Sequence, residues 1–202
     1  MEIPLKYKWL VPFLFLIVVF SKSCTGRHNE LLASEEGYKL FNLESAGWKS
    51  MSMAHNLGGM HYKATLVPIQ YYILRTEGAN SPREIDSIYA LHKEERIIEM
   101  EFSLGNKDDI LKNKYTRRDY QSAVEYMSFH IENDFKVITE SGDTISCAGV
   151  AFERNFKLAP FKRLVLHFGG IPEDDNIRLL YNDNLFGKGM LEYQFNETPL
   201  KL

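Results

Sequence analysis

Apolar positions change their period several times along the chain. Trp9–Phe20 (WLVPFLFLIVVF) is an unbroken apolar run with no polar face, so it does not read as an amphipathic element of a fold. Tyr38–Leu43 reads as a short first strand, and the stretch from Gly47 to Gly59 carries little pattern. Ala64–Leu74 (ATLVPIQYYIL) is rich in β-branched and aromatic residues and predicts a strand, with Pro68 confined to an edge or a bulge because it offers no N–H. Ser81-Pro82-Arg83-Glu84 combines a capping serine, a proline at the first helical position and a glutamate three after the cap. It predicts a helix to about Lys93 with Ile85, Ile88 and Tyr89 on one face. Arg96–Leu104 then alternates, with Ile98, Met100, Phe102 and Leu104 on one side and Glu99, Glu101 and Ser103 on the other, the signature of a half-buried strand.

Asn106–Tyr120 reads as a charged connection with a helical turn around Asp109 to Asn113. Ala123–Ile131 satisfies the helical and the strand period only in part, and strand is the favoured reading. The remainder is a meander of short strands, at Lys136–Thr139, Thr144–Arg154, Arg163–Phe168, Ile177–Tyr181 and Met190–Phe195, punctuated by Gly, Pro, Asn and Asp. Together these elements predict a mainly β fold, an antiparallel β-sandwich or open barrel with one or two short helices.

The apolar run at Trp9–Phe20 follows Lys6 and Lys8 and precedes Ser21-Lys22-Ser23-Cys24. Positive charge, a short apolar core and then small residues make a secretory signal, and twelve residues fall short of the roughly 20 that span a bilayer. The end of this stretch resembles a bacterial lipoprotein signal, in which the chain is cut just before a cysteine that then carries acyl chains such as palmitate. The resemblance covers the first two dozen residues and departs from the usual motif at Ser21 and Lys22. It implies residues 1–23 as signal peptide, lipidation at Cys24, residues 24–36 as a tether and residues 37–202 as a single β-rich domain. Cleavage by ordinary signal peptidase between Ser23 and Cys24, or retention as an uncleaved anchor, are the alternatives. On any of them the protein is exported; the lipidated and the uncleaved forms are attached to a membrane of the cell envelope, facing the periplasm or the cell surface, whereas ordinary cleavage releases a soluble product.

Loss of residues 1–23 removes three lysines and one glutamate, so the formal charge of −3 becomes about −5. This mild acidity argues against nucleic acid as a partner, which calls for a basic patch or stripe. The one basic knot, Lys112, Lys114, Arg117 and Arg118, is offset by Asp108, Asp109 and Asp119, though Arg117 and Arg118 remain candidate binding residues on a long loop. With Cys24 acylated, Cys147 stands alone and reads as a small strand residue; with Cys24 free, the two could pair in an oxidising compartment.

Few constellations carry chemistry. Met51, Met53, His55, Met60 and His61 gather three thioethers and two imidazoles within eleven residues, and soft sulfur with imidazole suits Cu(I). Packing methionines and surface histidines account for the same pattern, and no cofactor is expected. The acidic turns Glu173–Asn176 and Asn182–Asn184 lack the spacing of an EF-hand, and hairpin turns explain them. Asp86-Ser87-Ile88 and Asp143-Thr144-Ile145 resemble a short acceptor motif for O-linked sugars of some Gram-negative bacteria. No nucleophile elbow, zinc-protease helix or phosphate loop occurs, and no catalytic residue is assigned. The expected function is a non-enzymatic binding or structural lipoprotein with an envelope protein or a glycan as partner. An enzyme whose site is assembled from distant loop residues, or a periplasmic carrier of Cu(I) or a small molecule, is the alternative.

Overall fold

The computed structural model describes residues 51–77, 82–106, 108–154 and 159–196. The signal run, Cys24, the tether, the strand expected at Tyr38–Leu43 and the capping Ser81 lie outside the described residues. Two antiparallel sheets pack face to face. The first holds β1 (Ser52–Leu57), β2 (Met60–Val67), β3 (Arg96–Leu104), β7 (Phe161–Phe168) and β6 (Gly149–Glu153), in that order. The second holds β5 (Thr144–Ser146), β4 (Phe135–Thr139), β8 (Ile177–Asp183) and β9 (Gly189–Phe195). The mainly β sandwich of the sequence reading is thus the architecture, and it does not close into a barrel.

One core cluster fills the space between the sheets. Tyr62, Ala64, Met100 and Phe102 from the first sheet meet Phe135, Val137, Leu179, Tyr181 and Tyr193 from the second, all essentially without solvent exposure. Strict alternation supplies it, because successive side chains leave a strand on opposite faces. The outer face of the first sheet is covered at one end by α1 (Ile69–Glu77) and α2 (Pro82–His92). There Tyr71 and Tyr72 lie on Val67, Ile97 and Val165, and Ile69, Ile73 and Ile85 join the two helices. α3 (Asn113–Thr116) and α4 (Tyr120–Phe129) follow β3, and α4 lies against β6 before a 3-10 turn at Ile131–Asp134.

Three elements differ from the sequence reading. The strand expected over Ala64–Leu74 ends at Val67 and becomes α1. Pro68 is the hinge: its carbonyl accepts the Tyr72 N–H at 3.0 Å, and Ile69 and Ile73, one turn apart, are both buried against Ile85. The strand favoured at Ala123–Ile131 is instead α4, because Asp119 caps it by accepting the Ser122 N–H at 3.0 Å, and Ala123 and Met127 bury at i, i+4 spacing. Helices therefore outnumber the one or two expected. The strand over Thr144–Arg154 is two strands, parted at Cys147 and Ala148. The Cys147 N–H bonds to Phe135 in the second sheet and the Ala148 N–H to His167 in the first, so the chain changes sheet between adjacent residues.

Candidate functional site

The Met/His stretch forms the β1–β2 hairpin. Gly58 and Gly59 have φ of 57° and 80°, the pair of positive angles that a two-residue hairpin turn of type I′ requires. The register opposes His55 to Tyr62 and Asn56 to His61, so the two imidazoles point to opposite faces of the sheet. Met53 faces Ala64 while Met60 faces Leu57, four positions or roughly 13 Å further along the strand. The hairpin therefore does not bring Met51, Met53, His55, Met60 and His61 together as one ligand set.

Each of these side chains has another partner. His55 Nε2–H donates to the Glu192 carbonyl at 2.8 Å, with its ring edge-on to Tyr193 at 4.8 Å between centroids. Met53 Sδ accepts the Gln194 N–H at 3.2 Å. These two contacts close the seam where β1, an edge of the first sheet, runs beside β9, an edge of the second. Met60 Sδ lies 3.5 Å from the Tyr62 hydroxyl oxygen, His61 Nδ1–H donates to Asn56 Oδ1 at 2.7 Å, and Met51 packs on the core.

Beneath the same hairpin lies a polar cluster that the sequence reading missed. Asp183, only 3 % exposed, accepts from Tyr62 (2.9 Å), Tyr181 (2.9 Å), the Phe186 N–H (2.8 Å) and the Lys188 N–H (3.1 Å). Four donors satisfy a buried carboxylate, and the last two fold the β8–β9 turn back over it. Asp134 accepts from Tyr126 at 2.9 Å and from Asn184 Nδ2 at 2.7 Å. Burial first, and the neighbouring Asp183 charge second, hold the Tyr62 and Tyr181 hydroxyls far above the usual phenol range. Burial and the bond to Asp134 push Tyr126 up to about 12. The Tyr193 hydroxyl is buried without a hydrogen-bond partner among the described residues. The sequence did hold a signal: Ile177, Leu179 and Tyr181 alternate inward, and Asp183 continues that row. The carboxylate belongs to the strand end as well as to the turn.

The basic loop is tied down by its own acids. Asp108 bonds Lys112, Lys114 (2.8 Å) and Tyr115 (3.1 Å), which holds its carboxyl well below the usual range. Arg118 stacks over the Tyr126 ring at 4.3 Å, and Arg117 caps α3 with a left-handed φ of 57°. Arg117 and Arg118 thus stand at one bend on the surface, the first exposed and the second half-buried. The acidic turn after β7 is held by Arg96. This buried guanidinium donates to the carbonyls of Lys93 (3.2 Å), Glu95 (2.8 Å), Pro172 (2.5 Å) and Glu173 (2.7 Å). On the outer face of the first sheet, Glu101 pairs with Arg163 at 2.6 Å, and Glu99 and Glu153 also face that guanidinium. Glu99 and Glu101 therefore belong to a cross-strand charge row. Cys147 Sγ turns to the Gly149 carbonyl at 3.1 Å, and burial raises its thiol.

A shallow polar groove of about 210 Å³ opens on the second sheet, lined by Thr139, Glu140, Asn176, Arg178, Gln194 and Asn196 with Ile138. Its groups partly bond one another, Gln194 to Asn196 at 2.8 Å and Asn176 to Glu140 at 3.4 Å. Among the described residues no three His, Cys, Asp or Glu side chains gather as a metal site, and no helix is long and apolar enough to cross a membrane.

No family model matches the chain, and no curated protein matches it. A solved structure, a novel protein of unknown function from Burkholderia pseudomallei, is similar over 80 % of this chain and 83 % of that one, at 8 % identity and a TM-score of 0.34. A likeness that distant carries no argument about fold or function.

Proposed function

We propose that this chain is an exported, lipid-anchored module of the cell envelope that acts by binding or as a structural component, without catalysis. The observation that carries the reading is the order Lys6, Lys8, the apolar run Trp9–Phe20 and Cys24. The sandwich supports a binding role through its surfaces. The buried Asp183 and Arg96 are engaged in holding the two sheets and their turns together, while the open faces carry charge rows, a polar groove and the Arg117–Arg118 bend. Amide and carboxylate groups such as Glu140, Asn176 and Gln194 suit the hydroxyls of a glycan or the polar rim of a protein interface.

The reading is tested by membrane fractionation of the native chain against a Cys24→Ala variant. The native protein partitions with membranes and needs detergent for release, and the variant is released in folded form. A variant that stays on the membrane removes the lipid anchor. Partners copurified from the solubilised envelope then identify the ligand, and charge reversal at Arg117 and Arg118 weakens binding mainly through association rate and salt sensitivity if that bend takes part.

A further inference from the structure

We propose that β1 pairs with β1 of a second copy of this chain, antiparallel about a two-fold axis at Ala54, extending the five-stranded sheet across a dimer. The inference does not rest on the envelope reading. A sandwich has four sheet edges, and an open edge is a template for another strand unless it is shortened, charged or covered. Here three are managed. β5 is three residues long, β6 lies under α4 and ends in Glu153, and β9 has its outward Glu192 carbonyl and Gln194 N–H taken by His55 and Met53. Among the described residues β1 has none of these devices. It is six residues, SMAHNL, without Lys, Arg, Asp, Glu or Pro.

The ladder fixes which groups β1 offers. The Leu66 N–H donates to the Met51 carbonyl, so Met51, Met53, His55 and Leu57 direct their backbone groups into β2 and Ser52, Ala54 and Asn56 direct theirs outward. Pairing centred on Ala54 sets Ser52 opposite Asn56 of the partner copy and Ala54 opposite its own mate, forming about six backbone hydrogen bonds. Small uncharged side chains meet on the outer face, where Ser52, Ala54 and Asn56 are all exposed. On the inner side Leu57, a large apolar residue left 38 % exposed, meets Met51 of the partner copy. On the outer face, the two Lys63 side chains lie opposite Ala54 and its mate. They stand three strand spacings apart, about 14 Å, beyond the screening length of about 8 Å, and each lies 4.0 Å from Glu101.

Uncharged composition, small-to-small pairing and a symmetric register favour a second copy over a foreign strand. The test uses the full chain in detergent. Sedimentation and native mass give the dimer, and Ala54→Lys, which places two charges at the axis of an exposed position, returns it to the monomer with an unchanged circular dichroism spectrum. Ala54→Cys forms a covalent dimer on mild oxidation, because paired Cα atoms lie about 5.5 Å apart, within disulfide reach. Wild type and Gln121→Cys, exposed on α4 and carrying the same native cysteines, do not. A monomeric chain overturns the proposal, whether the edge is covered by a segment of the chain itself, by another protein or by nothing. So does a dimer that Ala54→Cys fails to link, which places the interface elsewhere.

Discussion

The Tyr62 hydroxyl donates to the Asp183 carboxylate at 2.9 Å, across the interior of the sandwich and 121 residues along the chain. β2 and β8 belong to different sheets, so this bond fixes their relative position where apolar packing alone would let them slide. A carboxylate without its charge partner in such a place is costly, and here four donors take its place.

Truncating the acceptor should therefore cost more than truncating one donor. Asp183→Ala leaves two hydroxyls and two backbone N–H groups without their acceptor, and a loss of about 3–5 kcal/mol is expected. Tyr62→Phe removes one bond to a charged group and should cost about 1.5–3 kcal/mol. Denaturant unfolding of both single variants and the double variant checks this, with a coupling energy well above experimental error expected between the two sites.

Asp134 makes the opposite pH prediction from an ordinary native carboxylate. Burial raises its folded pKa, against the lowering bonds from Asn184 and Tyr126. The unfolded chain therefore releases that proton at a lower pH than the folded one. The contribution of Asp134 to stability is present in full below the unfolded value of about 4 and is lost as pH rises through the raised folded value. Asp134→Asn, which keeps the shape and cannot ionise, should show a flatter stability profile over that window. A steeper profile in the variant would contradict the assignment.

Arg96 holds four carbonyls with one planar fork, a geometry that lysine does not reproduce. Arg96→Lys should destabilise by about 2–4 kcal/mol and leave carbonyls of the Gly169–Asn176 turn without a donor. Hydrogen exchange should locate the loss: faster exchange at the Ile171 N–H, which bonds the Glu94 carbonyl, and little change in β4.

Cu(I) gives a direct check on the hairpin. Since His55 and His61 face opposite ways and Met53 and Met60 lie at separate ladder positions, titration against a competing chelator should show no specific uptake. A tight stoichiometric ion, lost in Met53→Ala and His61→Ala, would reverse that reading.

The alternating segments were the legible part of this fold. Arg96–Leu104 carries its face assignment in every residue, and β3 spans those same residues. Pro68 restricts a strand to an edge or a bulge without forbidding it, the composition of Ile69–Leu74 favours β, and only packing against Ile85 shows the helical period. Ala123–Ile131 is ambiguous in sequence because α4 buries only one i, i+4 pair, Ala123 and Met127, and its cap Asp119 lies in a charged connection. Asp183 was hidden for a different reason. Its role depends on Tyr62, and no local pattern relates two residues that far apart. Met53 and His55 carry groups that suit a soft metal as well as packing, and the structure uses their donor and acceptor atoms to join two sheet edges.

On the proposed function, the apolar run directs export and Cys24 becomes the lipid-bearing N-terminus. Mass spectrometry of the intact mature protein tests it most directly. The expected product begins at Cys24 and exceeds the mass of residues 24–202 by its acyl groups. A chain that retains Met1–Phe20, or one that begins at an unmodified Cys24, would contradict it.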